Sequence, residues 1–413
     1  MTRPVRRSIQ AGQWYHHEDH PVHTLFRRGT ANGTNEIYPM VGSADWKALF
    51  PPPFTFTNST TVPSAWLKAL NNAKAQNLIP DVPVPLSTAD NPLYPNGTDP
   101  KGPEVCSATW FCRGPDDIWD APDGYAGIAF DDGPLPNSSP KLYSFLKENN
   151  VTVRNHFEGG RCVMLGSEAE IRLVKATHFM IGSNILAYPS LFLEAYEQND
   201  DIGCHTYNHP YMTTLTNEEV VLELGWQLEL VRVSTNGRIP RVWRPPYGDV
   251  DNRVRAIATH VFGLQTVLWN HDSLDWELPQ GPVTSAGLHQ NYTLWYGGPK
   301  SPGLIILSHE LTTQSVQGWI DAFPMIAQNN WITKSIPDLF EQPWYVNAQD
   351  DTAPVNQSMS VADFSTTSTS STVTATSTGS FGKASSGAPS QVLLSAATCS
   401  ISASLVLLGL CSL

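Results

Sequence analysis

Residues 125–134 have the sequence YAGIAFDDGP. A short β-prone run that stops at two acids and a Gly-Pro pair predicts a buried strand that delivers two carboxylates to its C-terminal end. Active sites of α/β folds lie at that end of their strands. Neighbouring side chains of a strand point to opposite faces, so one of Asp131 and Asp132 can bind a cation while the other faces a substrate. On its own, however, the tetrapeptide Asp-Asp-Gly-Pro is more often an ordinary surface turn.

The sequence after Tyr125 alternates between β-prone runs and helical segments. Strands are expected at 125–130, 151–153, 202–205, 242–243, 266–269, 303–307 and 331–335. Helices are expected around 142–146, 191–196, 216–230, 253–261 and 316–327, and the third begins with a Thr216–Glu219 capping box. This alternation predicts an α/β fold with a parallel sheet, closed or nearly closed into a distorted (β/α) barrel.

The composition is typical of a loop-rich extracellular protein. Only 15% of the residues are charged, and the chain contains 33 Pro, 29 Gly and 13 Trp. The formal net charge of −13 argues against nucleic acid as a partner, because a phosphate backbone would be repelled, and it suits a neutral or cationic polymer. Sequons for N-glycosylation, which fit a secretory pathway, occur at Asn32, Asn58, Asn96, Asn137, Asn150, Asn291 and Asn356.

Four cysteines lie in the part of the chain that is expected to fold: Cys106, Cys112, Cys162 and Cys204. Their even number allows two disulfides in three connectivities, and the close spacing favours a Cys106–Cys112 pair. A zinc site made of the four thiols is less favoured, because the chain has no C-x-x-C pair.

Both ends of the chain differ from its middle. Residues 1–115 look irregular and are expected to wrap or cover the main domain at 116–345. No apolar signal-peptide core is visible in the first thirty residues, which conflicts with the composition and the sequons that indicate a secreted protein. Residues 346–391 predict a Ser/Thr-rich disordered stalk. The apolar tail 392–413 predicts a signal for a glycosylphosphatidylinositol (GPI) anchor and an extracellular location, with a membrane span as the alternative.

Polar clusters follow the later strands as well. The segment 205–209 contains two imidazoles, His205 and His209, which can meet one metal ion if the turn between them is helical. Together with one carboxylate they would form a three-ligand site with open positions, suited to Zn²⁺ or another divalent ion that activates water. The remaining clusters are Arg244-Pro245-Pro246-Tyr247-Gly248, Asp272-Ser273-Leu274-Asp275-Trp276 and Leu307-Ser308-His309-Glu310.

The five clusters, in this order, resemble the five motifs of the polysaccharide deacetylases, carbohydrate esterase family 4. The resemblance covers roughly residues 118–340, and five motifs in order are far more specific than any one of them. With its sequons and expected anchor, the chain is most similar to the fungal chitin deacetylases. The first motif usually opens with Thr, whereas this chain has Ala129. That position precedes the two acids, so we expect no effect on the metal site.

The resemblance implies a metal site and a general base. The ligands of one divalent ion, Zn²⁺ or Co²⁺, would be Asp132, His205 and His209. Asp131 would take a proton from the attacking water, and Arg244 would orient Asp131. The backbone N–H of Tyr247, together with the metal, would stabilise the tetrahedral oxyanion.

The resemblance also implies an acid and a pocket for the acetyl group. His309, positioned by Asp275, would protonate the leaving amine. Asp272 is the alternative to Asp275, since both lie in the same acidic cluster. Trp276 and Leu307 would form the pocket for the acetyl methyl group.

The function implied is metal-dependent N-deacetylation of chitin, or of partly deacetylated chitin oligomers, by an enzyme that a GPI anchor holds at the membrane or cell wall. No obligate protein partner is inferred. One alternative is an esterase that acts on another O-acetylated wall polysaccharide, since the same residues could perform that reaction. Another is a wall carbohydrate-binding protein that has lost catalysis, although the intact set of acid, base and ligands argues against it. A zinc peptidase would usually carry H-E-x-x-H, and no Glu lies between His205 and His209.

Overall fold

The computed structural model describes residues 38–55, 62–88, 91–149, 175–279 and 281–362. The strand expected at 151–153, Cys162, and the Ser/Thr-rich and apolar segments after residue 362 therefore lie outside the described residues, as do the first thirty residues. None of the described helices combines the length and the hydropathy that crossing a bilayer requires.

Strands and helices alternate along the described chain, as the sequence predicts. The strands are β1 Tyr125–Gly127, β2 Ala129–Asp131, β3 Thr177–Met180, β4 Asp201–Cys204, β5 Val242–Trp243, β6 Gln265–Thr266, β7 His271–Asp272, β8 Leu304–Leu307 and β9 Ile332–Lys334. The helices are α1 Ala44–Lys47, α2 Ser64–Ala75, α3 Ser139–Asn149, α4 Gly182–Ala187, α5 Pro189–Glu197, α6 Asn217–Ser234, α7 Asn252–Phe262, α8 Ser285–Tyr296, α9 Thr313–Gln328 and α10 Ile336–Leu339. The predicted capping box at Thr216 and Glu219 is present at the start of α6.

The strands form two parallel sheets, of order β7-β8-β1-β9 and β2-β3-β4-β5-β6. Two chain segments link the sheets. Residues 125–131 supply β1 to the first sheet and β2 to the second, and residues 265–272 supply β6 to the second and β7 to the first. The predicted parallel α/β fold is confirmed, and a parallel bridge between Asp131 and His309 joins the end of β2 in one sheet to the segment after β8 in the other.

Buried apolar side chains fix the strands from which the polar residues project. One cluster joins Ala129 of β2, Val242 of β5 and Ile305 of β8. These residues lie two to four positions before Asp131, Arg244 and His309. Two larger clusters pack the helices, with α3, α5, α8 and α9 in one and α2 and α7 in the other, and α6 contributes to both. The apolar layers thus hold the C-terminal ends of the strands in place.

Some elements differ from the prediction. The strand β3 was not predicted, because Thr177 and His178 interrupt its apolar pattern; both are buried, and His178 Nδ1 lies 3.0 Å from a Glu310 carboxylate oxygen. The strand expected at 266–269 is shorter in the structure, where β6 ends at Thr266 and a separate strand, β7, follows at His271–Asp272. Helix α8 is not among the predicted helices, and it begins where Thr284 accepts a hydrogen bond from a backbone N–H in its first turn.

The region before residue 115 contains regular structure, which corrects the expectation that it is irregular. Helix α2 packs Trp66 and Leu70 into the apolar cluster of α6 and α7, and the Trp66 ring lies 5.1 Å from that of Trp226. The sequence contains a pattern that could have predicted this helix, since the buried apolar positions of α2 recur with helical spacing: Trp66, Ala69, Leu70 and Ala73.

The packed chain also continues past residue 345, where the stalk was expected to begin. Arg238 donates to the carbonyl oxygens of Asp351 at 2.6 Å and Ala353 at 2.9 Å. Val361 and Ala362 are buried with residues of α2, α6 and α7. Because these contacts lie within the segment expected to be a disordered stalk, the folded part extends at least to residue 362.

The Cys106–Cys112 disulfide expected from the close spacing is present. It closes a loop that contains the 3₁₀ turn Ala108–Trp110. Cys204 is a free thiol that lies buried at the end of β4.

Candidate active site

Asp131 and Asp132 lie where β2 ends, and both are buried. Asp132 has a left-handed backbone conformation with φ 71°, so the chain turns sharply between the two acids and their carboxylates meet different partners. Gly133 is required next, because the Glu310 carboxylate occupies the place that a Cβ atom would take.

Asp132, His205 and His209 form a candidate site for one metal ion. Their ligand atoms all lie within 4.8 Å of one another. Asp132 Oδ1 is 3.3 Å from His205 Nε2 and 3.2 Å from His209 Nε2, and it is buried without a hydrogen-bond partner among the described residues. An unsatisfied carboxylate oxygen facing two imidazole nitrogens fits a divalent cation such as Zn²⁺.

His205 is oriented for this role by the neighbouring strand. Its Nδ1–H donates to the carbonyl oxygen of Arg244 at 2.7 Å, which leaves the lone pair of Nε2 directed towards Asp132. Backbone pairing sets up this contact, since the Arg244 N–H donates to the carbonyl oxygen of Cys204 at 2.9 Å. Metal-bound histidines are commonly fixed by a hydrogen bond from their second nitrogen in this way.

The turn between His205 and His209 is not helical. A helical turn, which the sequence analysis gave as the condition for a shared metal ion, is therefore not needed to bring the two imidazoles together. Thr206 and His209 both have left-handed backbone conformations, with φ 63° and 62°. The N–H of His209 donates to Thr206 Oγ1 at 3.0 Å, and the two imidazole centroids lie 4.9 Å apart. A tight left-handed turn therefore brings the two imidazoles together.

Glu223 of α6 holds this turn and was not predicted from the sequence. Its Oε2 accepts hydrogen bonds from the backbone N–H groups of Tyr207 at 3.1 Å and Asn208 at 2.7 Å. Its Oε1 accepts from Asn208 Nδ2 at 2.9 Å. The only signal in the sequence is an acid inside the apolar run 220–224, and such an acid needs a buried partner.

Asp131 is held by a fully buried arginine. Arg244 Nη1 donates to Asp131 Oδ1 at 2.8 Å, and the guanidinium carbon lies 4.4 Å from the ring centroid of Phe179 and 5.8 Å from that of Trp269. The second carboxylate oxygen, Asp131 Oδ2, lies 3.9 Å from His205 Nε2. One oxygen is thus fixed by Arg244 while the other faces the candidate metal site.

His309 and Asp275 form a second buried pair beside Asp131. The backbone N–H of His309 donates to Asp275 Oδ2 at 2.8 Å, and the ring nitrogen Nδ1 of His309 lies 2.5 Å from Asp275 Oδ1. Burial alone would lower the pKa of His309, but the Asp275 carboxylate outweighs it and raises that pKa to about 10. Asp272 instead accepts from the N–H of Leu274 at 2.9 Å, so the contact favours Asp275 as the partner of His309.

His309 is also joined to Asp131 through the backbone. The two residues pair as in a parallel sheet, since the Asp131 N–H donates to Ser308 O and the Glu310 N–H donates to Asp131 O, each at 3.0 Å. The candidate base and the candidate acid are therefore held in register by main-chain hydrogen bonds.

The three remaining predicted residues lie at or after the ends of strands. Tyr247 follows the two prolines with φ 59°, and its ring lies 4.6 Å from that of His209. Trp276 is 46% exposed and follows Asp275, whereas Leu307 is buried at the end of β8. Their shared acetyl pocket stays a prediction.

Comparison with known proteins identifies the family. Residues 170–267 match the polysaccharide deacetylase family. Chitin deacetylase 3 of Cryptococcus neoformans is 38% identical over 357 residues, which are 86% of this chain and 79% of that protein. Chitin deacetylase 2 of Saccharomyces cerevisiae is 30% identical over 261 residues, 61% of this chain and 73% of that protein.

Among solved structures, the chitin deacetylase of Colletotrichum lindemuthianum aligns with 20% identity and a TM-score of 0.45, over 55% of this chain and 94% of that chain. Family membership follows from the Cryptococcus protein, whose similarity extends over most of both chains. The chain therefore belongs to the polysaccharide deacetylase family, and it is related to fungal chitin deacetylases.

Proposed function

We propose that this protein is a metal-dependent chitin deacetylase, which hydrolyses the acetamide groups of N-acetylglucosamine residues to give chitosan and acetate. One observation carries the proposal: the free oxygen of Asp131 lies 3.9 Å from the candidate metal ligand His205, beside the His309–Asp275 pair. Amide hydrolysis needs a base next to an activated water and an acid next to the leaving nitrogen. The relatives named above are chitin deacetylases, which supports chitin as the polymer.

The proposed metal is Zn²⁺ or Co²⁺, held by Asp132, His205 and His209. When bound, such an ion polarises a carbonyl oxygen and lowers the pKa of a water molecule towards neutrality. Two imidazoles and one carboxylate are ligands that both ions accept, and they leave open positions for water and substrate.

The side chains of the protein then accept and donate the protons of the reaction. Asp131 Oδ2 takes a proton from the water that attacks the acetamide carbon, while Arg244 holds Oδ1. The N–H of Tyr247 donates to the developing oxyanion. The C–N bond breaks as His309 gives a proton to the leaving nitrogen, and Asp275 stabilises the imidazolium until that transfer.

The exposed aromatic rings suit a saccharide chain. Tyr247 and Trp276 are 52% and 46% exposed, and they lie on the loops that also carry Arg244 and Asp275. Flat apolar ring faces with a polar edge match the alternating apolar and hydroxylated surfaces of a sugar ring. Trp276 and Leu307 are the residues proposed to receive the acetyl methyl group.

The proposed location is outside the cell, with a GPI anchor that attaches the protein to the plasma membrane or the wall. Asn96, Asn137 and Asn356, three of the sequon asparagines, are exposed in the structure and accessible to glycosylation. The apolar segment 392–413 is the proposed anchor signal. Treating intact cells with a phosphatidylinositol-specific phospholipase should release the protein, and its retention in detergent-soluble membranes would contradict the anchor.

A substrate panel tests the proposed reaction. Acetate is measured after incubation with N-acetylglucosamine oligomers, O-acetylated xylan and O-acetylated mannan. The proposal predicts acetate mainly from the N-acetylglucosamine oligomers, with masses of the products that correspond to stepwise loss of acetyl groups. Release only from the O-acetylated polymers would identify an esterase, and polymer binding without acetate release would identify a binding protein.

A further inference from the structure

Residues 51–55, which we call the N-terminal strap, lie against the histidine turn, residues 205–209, which carries two of the three candidate metal ligands. Hydrogen bonds join the strap to Tyr207 and Asn208 of the turn and to Ser183 of α4. The strap lies outside the five sequence motifs, and none of the proposed catalytic residues belongs to it. Its contacts bear instead on how the two imidazoles are held.

The histidine turn needs support from the rest of the protein, because its backbone is strained. Thr206 and His209 both have left-handed conformations, which residues other than glycine adopt only where surrounding contacts hold them. Glu223 accepts hydrogen bonds from the backbone N–H groups of Tyr207 and Asn208. The strap acts on the same two residues through their side chains.

Tyr207 reaches the strap with its hydroxyl group, which donates to the carbonyl oxygen of Pro51. The tyrosine side chain is fully buried. Its ring packs directly on Gly182 of α4, where an added Cβ atom would lie 2.5 Å from a carbon of the ring. The ring is thus held by α4 and the hydroxyl group by the strap. The backbone between the two histidines cannot shift without breaking one of these contacts.

The side chain of Asn208 is held by hydrogen bonds at both of its polar atoms. Its Nδ2 donates to the carbonyl oxygen of Thr55 at 3.0 Å and to Glu223 Oε1 at 2.9 Å. Its Oδ1 accepts from Ser183 Oγ at 2.8 Å. The same Oγ accepts from the backbone N–H of Phe54 at 2.9 Å. The strap therefore contacts Asn208 both directly and through Ser183.

The strap itself is anchored by the residues that precede it. Trp46 and Phe50 are buried in one apolar cluster, and their ring centroids lie 5.6 Å apart. Trp46 Nε1 donates to Ser234 Oγ at 3.0 Å, at the end of the helix α6 that also carries Glu223. Because the anchor at Phe50 directly precedes Pro51, the strap is a fixed support for the histidine turn.

We propose that the N-terminal strap is a positioning element of the metal site. It locks the histidine turn through the side chains of Tyr207 and Asn208, and so keeps His205 and His209 at the separation that one divalent ion requires. The proposal rests on the proposed function for the nature of the ion, and it adds a role for the N-terminal region in holding the ligands. Loosening the strap should weaken metal binding while the protein remains folded.

Two changes at Phe54 give a matched test, because this residue has φ 58° and a side chain that is 64% exposed. Phe54→Pro removes the N–H that Ser183 accepts and cannot adopt that φ. Its dissociation constant for Zn²⁺, measured by competition with a chromophoric chelator, should rise about tenfold. Phe54→Gly also lacks the ring but keeps the N–H and adopts the φ without strain, so its constant should equal that of the wild type.

Tyr207→Phe tests the same support from the side of the turn. It keeps the buried ring and removes only the hydroxyl group that Pro51 accepts, so the dissociation constant for Zn²⁺ should again rise about tenfold. The visible absorption bands of the Co²⁺-loaded protein should also change, since they report the arrangement of the ligands. An unchanged constant in either Tyr207→Phe or Phe54→Pro, or an equal rise in Phe54→Gly, would overturn the proposal.

Unfolding temperatures of the metal-free proteins separate positioning from a general effect on stability. A lower unfolding temperature with an unchanged dissociation constant would show that the strap only stabilises the fold, and would overturn its role at the metal. None of these measurements depends on turnover. If the wild type released acetate from no substrate but lost Zn²⁺ affinity on Phe54→Pro and Tyr207→Phe, the proposed function would fail and the role of the strap would stand.

Discussion

Arg244 Nη1 lies 2.8 Å from Asp131 Oδ1, and both side chains are buried. The contact uses one oxygen of the carboxylate and leaves the second beside the candidate metal site, 3.9 Å from His205 Nε2. Breaking such a buried pair by removing one partner leaves an uncompensated charge, so its geometry is closely constrained. The adjacent Asp132 has no such arginine and faces two imidazoles instead. The two neighbouring acids therefore have separate tasks, which single substitutions can distinguish.

Asp131→Asn should lower kcat for acetate release by roughly 10²–10⁴-fold, because the amide cannot accept the proton of the attacking water. Its metal content should stay at the wild-type level, since Asp131 is not one of the three clustered ligands. Metal analysis of the purified protein and initial rates on an oligomer measure both effects. The matched change Asp132→Asn should lose metal as well as activity. The opposite assignment of the two acids would follow if Asp131→Asn lost the metal and Asp132→Asn kept it.

Glu223→Gln should weaken metal binding by about 10- to 100-fold, as changes to residues that hold metal ligands in place typically do. A neutral amide accepts more weakly than a carboxylate from the N–H groups of Tyr207 and Asn208, so the turn that carries the histidines is less well held. Competition with a chromophoric chelator gives the dissociation constant directly. Glu229→Gln, on the same helix but paired with Arg232, is the control and should leave that constant unchanged. An unaltered metal affinity in Glu223→Gln would show that the turn needs no carboxylate.

Asp275→Asn should move the alkaline limb of the kcat/KM profile to lower pH by about one to two units. His309 acts as an acid only while protonated, and the Asp275 carboxylate raises its pKa to about 10 against the opposing effect of burial. Removing the carboxylate lets that pKa fall, so activity is lost at a lower pH. Glu277→Gln, in the same 3₁₀ turn, should leave the limb in place. An alkaline limb that is the same in Asp275→Asn and in the wild type would exclude His309 as the titrating acid.

The stability of the fold should decrease as the pH rises from about 6.5 to 10. Burial alone would lower the pKa of His178, but Glu310 at 3.0 Å and Asp200 at 3.6 Å raise it to about 10. The folded state then keeps a proton that the unfolded state releases near pH 6.5, so the stabilisation is complete below that pH. It is lost above it at up to about 1.4 kcal/mol per pH unit.

Calorimetric unfolding temperatures between pH 6 and 9 test this prediction. His178→Gln keeps a hydrogen-bonding side chain but does not titrate, so its unfolding temperature should depend less on pH than that of the wild type. If both proteins lose stability equally across this range, another group is responsible.

The sequence predicted most of the fold and the members of the site because both depend on local patterns. The strand ends at Asp131, Arg244 and His309 follow β-prone runs, and a parallel α/β fold brings such ends together. Glu223 and His178 escaped prediction, since each is a polar residue in a buried element whose partner is distant in sequence. Their roles become visible only when the fold supplies that partner.

The backbone of the site was not predictable either. Left-handed conformations occur at five non-glycine residues of the strand-end loops: Asp132, Thr206, His209, Tyr247 and Leu274. Each costs on the order of 1–3 kcal/mol, and tertiary contacts must hold it. Local propensity favours other conformations for these residues, so the left-handed turn between the two histidines could not be foreseen.

The most direct test of the central claim is acetate release from an N-acetylglucosamine pentamer after the metal has been removed and then replaced. The protein is stripped with a chelator until no divalent metal is detected, assayed, supplied with one equivalent of Zn²⁺ or Co²⁺, and assayed again. We predict that acetate release disappears on stripping and returns with either ion in the wild type, but does not return in His205→Ala. Undiminished release from the metal-free protein would contradict a metal-dependent deacetylase.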